Sequence, residues 1–114
     1  MSTKIPRPVR SVWEILSPRA RKLWPQIVAL IPGFLPGIDD YAVGVYLNLL
    51  DRIAEAKACL AREDAPAWEK GFWQERLPAM EAEALEWAKE LGLTPASRLE
   101  ITRRLRRRRK QQGR

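Results

Sequence analysis

Apolar residues along this chain recur at alternating steps of three and four, the spacing that places side chains on one face of an α-helix. The pattern first appears in "SPRARKLWPQIVALI", where Ala20, Leu23, Trp24, Ile27, Val28 and Ile31 form a stripe. Ser17 and Pro18 mark its start, because a serine oxygen accepts from an orphaned N–H and proline loses nothing at the first helical position. Pro25 falls inside the stripe, and its missing donor predicts a kink or a break after Trp24. A second stripe runs through Ala42, Tyr46, Leu49, Ile53, Ala56 and Leu60, widened by Val43, Leu47 and Leu50, with Asp39 or Asp40 as its cap. A third runs through Trp73, Leu77, Met80, Ala84, Trp87 and Leu91, and Gly71 and Pro78 predict a bent or frayed beginning.

The helices expected from these stripes cover about 18–31, 40–62 and 67–91. Gly92 fits the position after a helix end where left-handed backbone is needed, Leu93 can fold back on that helix, and Thr94 with Pro95 begins a fourth. Residues 1–16, with Pro6 and Pro8, read as a basic extended arm. No segment alternates as a strand does, so the fold class is all-α. The simplest arrangement is a long antiparallel helical hairpin with the first helix laid on it, making residues 17–93 a helical oligomerisation domain and 94–114 a basic C-terminal helix and tail. Both hairpin helices carry more apolar surface than one short companion can cover, which predicts a homo-oligomer. Tyr46, Leu49, Leu50, Ile53, Leu60, Trp73, Leu77, Met80, Trp87 and Leu91 are its candidate contacts. The alternative is a three-helix monomer that buries these residues alone.

Charge sharpens this picture once it is located. The formal charge is +7, divided into +5 over residues 1–24, −6 over 25–97 and +8 over 98–114. An acidic body therefore carries two basic ends.

Candidate chemistry is sparse. The chain has no histidine and one cysteine, Cys59, which excludes an internal disulfide and any zinc site built on Cys and His. Cys59 lies beside an apolar stripe and reads as a small buried hydrophobe. Asp39 and Asp40 are explained by capping, Glu81, Glu83, Glu86 and Glu90 by a solvated helix face, and no glycine-rich phosphate loop occurs. Neither catalytic residue, metal site nor cofactor is expected, and the chain reads as a binding protein rather than an enzyme. The N-terminus lacks a signal peptide's apolar region and no run is long enough to span a bilayer, so an intracellular protein without membrane contact is expected.

Six of the eight residues from Arg103 to Lys110 are arginines. With Arg103, Arg104, Arg106, Arg107, Arg108, Arg109 and Lys110 on every face, their repulsion predicts loss of helix past Leu105 until a polyanion neutralises them. Arginine's planar fork suits phosphate, whereas a solubilising tail has no need of it. Anionic membrane is disfavoured by the lack of interleaved apolar residues. Arg98, and Arg19, Arg21 and Lys22 in the first helix, complete the candidate nucleic-acid contacts.

The segment "ELGLTPASRLEI", Glu90 to Ile101, resembles the closing signature of the small terminase subunits of tailed bacteriophages: Leu-Gly-Leu-Thr-Pro, a small residue, Ser-Arg and Leu. "LSPRARKLW" is similar to that family's opening, and the likeness spans about residues 16–101. The resemblance implies a helical, ring-forming protein of the host bacterial cytoplasm that binds double-stranded viral DNA and hands it to the terminase large subunit, which holds the ATPase and nuclease. The aromatic-rich "AWEKGFWQERLP" and the arginine-dense tail depart from the family's pattern. The alternatives are a small DNA-binding transcription regulator and an arginine-rich RNA-binding adaptor.

Overall fold

A computed structural model describes residues 7–112, except for the side chains of Arg98 and Gln112. Its elements are α1 (Arg10–Ile15), α2 (Pro18–Val28), α3 (Asp40–Ala61), α4 (Ala67–Glu90) and α5 (Pro95–Gln112), with no strand among the described residues. The fold class is all-α, as the periodicity requires.

The arm expected over residues 1–16 is not extended throughout. Residues 1–6 lie outside the described residues, but Arg10–Ile15 form α1, begun by Val12 N–H and Trp13 N–H donating to the Val9 carbonyl (both 3.0 Å). Val12 and Leu16, one turn apart, are 5% and 4% exposed, so this segment belongs to the core. The reason lies in α3. A Cβ on Gly44 would meet Val12 Cγ1 at 2.9 Å, and only a glycine lets the two backbones approach so closely.

Two polar side chains of α3 fix the corner. Asp40, buried among apolar neighbours, accepts from Val9 N–H (2.7 Å) and Gly37 N–H (3.1 Å). Asn48 accepts from Ser17 N–H and donates to the Ile15 carbonyl (both 3.0 Å), closing the end of α1 and the beginning of α2 together. The expectation that Asp39 or Asp40 caps α3 through its side chain is therefore corrected. Asp39 occupies the cap position, but its carboxylate turns back to Leu35 N–H (2.8 Å), inside the preceding loop.

Ser17 Oγ accepts from Ala20 N–H (3.1 Å) with Pro18 at the first helical position, as expected. Pro25 does not divide α2. Its lost hydrogen bond costs about 3 kcal/mol in an isolated helix, but here Ala20, Trp24 and Val28 bury one continuous face around it. The helix ends at Val28, before the expected residue 31, since Pro32 disfavours helical backbone at Ile31.

In the same way α4 runs unbroken through Gly71 and Pro78. Leu77, Met80, Ala84 and Trp87, on both sides of the proline, pack against Tyr46, Leu49, Leu50 and Ile53 of α3. Lys57 pairs with Glu81 (3.8 Å) and Leu91 joins Val43 and Leu47, so later residues of α4 lie beside earlier residues of α3. The core has two parts: Leu16, Ala20, Trp24, Val28, Val43, Leu47 and Leu91 around α2, and the smaller α3–α4 seam of Leu49, Ile53 and Ala84. The molecule measures 64 × 29 × 24 Å, and its radius of gyration of 17.2 Å exceeds the ~13 Å of a compact domain of this length.

Candidate nucleic-acid interface

The joint that aims α5 is built from the last turn of α4. Leu93 N–H donates to the Ala88 carbonyl (2.8 Å) and Gly92 N–H to the Lys89 carbonyl (3.2 Å), the paired bonds of a Schellman end. Gly92 sits at φ +74°, and a Cβ there would lie 2.9 Å from Ile101 Cδ1 and 3.1 Å from Pro32. Thr94 Oγ1 then accepts from Ser97 N–H (3.3 Å), which begins α5 as expected. The segment from Leu91 to Ser97 is thus a stop, a turn and a start in sequence.

Helix α5 continues to Gln112, which corrects the expected loss of helix past Leu105. Arginine, lysine and glutamine have high helix propensity, and Glu100 pairs with Arg104 at 2.7 Å one turn on. Cations in the last turn also suit the helix dipole. Ile101 and Leu105 hold the helix to the body, Leu105 Cδ1 lying 2.9 Å from the point a Gly33 Cβ would occupy.

Arg103, Arg104, Arg106, Arg107, Arg108, Arg109 and Lys110 are all exposed on α5. Among the described residues, Arg104 is the one member of this group with a carboxylate partner. Arg98 also lies in α5, but its side chain is outside the described residues. The candidates on α2 are placed differently. Arg19 pairs with Asp51 (3.4 Å), and Lys22 is exposed. Arg21 donates to the Trp13 carbonyl through Nε (3.2 Å) and Nη2 (3.0 Å), with its guanidinium 5.0 Å from the indole centre. Arg7 lies over the same indole at 5.2 Å. Arg21 is therefore a fixed part of the α1–α2 corner.

The residues expected between copies are partly consumed within one chain. Leu49, Ile53 and Leu91 are buried, because the stripes of α3 and α4 face each other. Tyr46, Leu50, Leu60, Trp73, Leu77, Met80 and Trp87 are half-buried. The large apolar side chains left in solvent are others, among them Trp68, 75% exposed, Ile38, Tyr41, Phe72 and Leu85.

Comparison with family models, with curated proteins and with solved structures gives no match.

Elsewhere the described residues offer little reactive chemistry. Burial pushes the Cys59 thiol up from its ordinary value, and a hydrogen bond with Glu69 together with that carboxylate's charge adds to the shift. The thiol is protonated at neutral pH and poorly nucleophilic. No three His, Cys, Asp or Glu side chains among the described residues converge to hold a metal ion, and no helix is long and apolar enough to cross a membrane. Sequence reasoning missed Asp40 and Asn48 as fasteners. Asn48 left a signal, a polar residue inside the apolar run from Val45 to Leu50, whereas the partner of Asp40, a backbone N–H 31 residues away, left none.

Proposed function

We propose that this chain is a non-enzymatic nucleic-acid-binding protein that grips duplex DNA through α5 and works as an assembly of several copies. The observation that carries this reading is the block from Arg103 to Lys110, exposed on all sides of a helix and nearly free of carboxylate partners among the described residues. Such a block neutralises DNA phosphates and releases the counterions condensed on the duplex, which favours association with any duplex sequence. Base reading needs side chains that present a fixed pattern in a groove, and a uniform run of cations supplies phosphate contacts instead.

The more specific proposal is the small subunit of a viral terminase, which recognises phage DNA and loads it onto the large packaging subunit in the infected bacterial cell. It is supported by the resemblance at residues 90–101, which include the joint that directs the cationic helix. In this reading the hairpin is the assembly element of a ring, and the large subunit supplies ATP hydrolysis and strand cleavage.

Two measurements test the proposal. Affinity for duplex DNA should fall with salt at a log-log slope of about −5, as roughly six phosphate contacts require. Deleting the residues after Leu105 should flatten that slope; unchanged affinity in the deletion would remove α5 as the contact. Structured RNA that outcompetes duplex DNA at equal salt would reassign the ligand. Native mass should show a discrete closed assembly, and a dimer protecting an inverted repeat would point to a transcription regulator.

A further inference from the structure

Helix α4 has one neighbour along most of its length, and the exposed flank beside that seam is not uniform. Phe72, Arg76, Ala79, Glu83, Glu86 and Glu90 follow steps of four and three, and all six are exposed. They form a stripe with an aromatic end, where the Arg76 guanidinium lies 3.7 Å from the Phe72 ring centre, a small residue in the middle and three carboxylates at the other end. Among the described residues Glu83 and Glu90 have no ion-pair partner. Glu86 pairs with Lys89 at 3.3 Å in an exposed contact, which holds a side chain only weakly. Arg52 of α3 lines the groove beside Glu83 without reaching salt-bridge distance.

The same chain carries the complement of this stripe. Glu83 to Glu90 and Arg103 to Lys110 each span seven helical steps, about 10 Å at 1.5 Å per residue. Within one copy the two come near each other at the joint, where Glu90 and Arg104 line one cleft without reaching salt-bridge distance. The joint at Gly92 sends α5 onto Pro32 and Gly33, and beyond Leu105 its cations make no ion pair with the body among the described residues. Apart from the exposed pairs Glu86–Lys89 and Glu100–Arg104, each is an uncompensated surface in a single chain.

We infer that the carboxylate stripe of α4 is the seat for the arginine block of a neighbouring copy, joining subunits head to tail. The inference rests on the self-association half of the proposed function and is independent of its nucleic-acid half. Arginine forks bridge to carboxylates in pairs of parallel hydrogen bonds, which fixes the register of the two helices. The contact also lowers the repulsion among the cations that α5 otherwise carries unrelieved. Because donor and acceptor surfaces differ, the contact is heterologous, the kind that propagates and closes into a ring when its rotation allows. Side chains that reach the stripe leave the opposite side of α5 to a polyanion, so subunit contact and DNA contact divide the faces of one helix.

The test uses two full-length variants, a face variant (Glu83→Lys, Glu86→Lys, Glu90→Lys) and a tail variant (Arg106→Glu, Arg107→Glu, Arg109→Glu). Each is read by native mass at low salt, with far-ultraviolet circular dichroism confirming native helix content. The native chain is expected to assemble, and its assembly to dissociate as salt is raised. Each variant alone is expected to be monomeric. Mixed, they are expected to assemble again as alternating copies, because the intact tail of the face variant fits the intact face of the tail variant and the reversed charges on the other two surfaces also oppose each other. Should the lysine triple lose its helix content, Glu83→Gln, Glu86→Gln, Glu90→Gln removes the seat with a neutral face, and its mixture with the tail variant is then expected to stop at a one-to-one dimer. Variants that retain the native assembly overturn the inference and leave the self-association reading standing, as does a mixture that stays monomeric. A native chain that is monomeric at low salt overturns both. The face variant keeps its cationic tail and should still bind duplex DNA with an affinity that falls as salt rises, so loss of DNA binding in every form counts against the nucleic-acid half alone.

Discussion

Asp40 shows how much of the architecture can hang on one carboxylate. It is 2% exposed and accepts from two backbone N–H groups, those of Val9 and Gly37. Hydrogen bonds to a charged acceptor contribute about 1.5–3 kcal/mol each. Asp40→Ala should therefore lower stability by about 2–4 kcal/mol in a denaturant titration, and Asp40→Asn by less, since the amide oxygen still accepts one bond. Loss of this fastener should also expose α1, seen as faster tryptic cleavage at Arg10. Cys59 gives a prediction of opposite character. Its folded thiol ionises at higher pH than the unfolded one, so the native state binds more protons and stability falls as pH rises from the unfolded thiol's value toward the folded one. Tyr46, raised by burial alone, extends the loss at higher pH. Cys59→Ala should flatten the first part of this alkaline decline in thermal melts recorded between pH 7.5 and 10. Alkylation of the native thiol at pH 7 should be slow and become fast on unfolding.

At the scale of elements, the sequence was most legible where periodicity and caps agree. Ser17–Pro18 and Thr94–Pro95 start helices where expected, and Gly92 ends one at positive φ, because these signals act within a single turn. The failures share a cause. Pro25, Gly71 and Pro78 are breakers by local preference, yet each sits in a helix whose burial along α3 outweighs that preference. α1 was hidden because its driving force, the space left by Gly44, is 28 residues or more away along the chain. The α5 site was legible as composition, but not as a helix aimed by a rigid joint. That joint can be tested directly. Gly92→Ala would place a Cβ against Ile101 and Pro32 at a left-handed backbone position, costing about 1–2 kcal/mol for the conformation alone. The expected outcome is a lower melting temperature together with faster trypsin cleavage among Arg103–Arg109, as α5 loses its seat.

At the scale of the molecule, a rod 64 Å long buries a smaller share of its surface than a sphere of equal volume. Trp68 and Phe72 remain in solvent near one end, and Ile38 and Tyr41 at the other end of α3. Surfaces of this kind associate, so sedimentation at micromolar concentration should give a mass well above the 13.2 kDa of one chain. Acrylamide quenching of tryptophan emission should weaken as concentration rises, since Trp68 is the indole most open to it.

The clasp around Trp13 has a consequence for how the formal charge of +7 should be counted. Arg21 is bonded to a carbonyl and stacked on the indole, so it already serves as mortar between α1 and α2, and Arg7, ahead of α1, rests on the same ring. The protein thus divides its positive charge into a structural reserve and a working supply at the far end of the chain. An added anion should draw on the working supply first, and the ionic strength that strips it should leave the mortar in place.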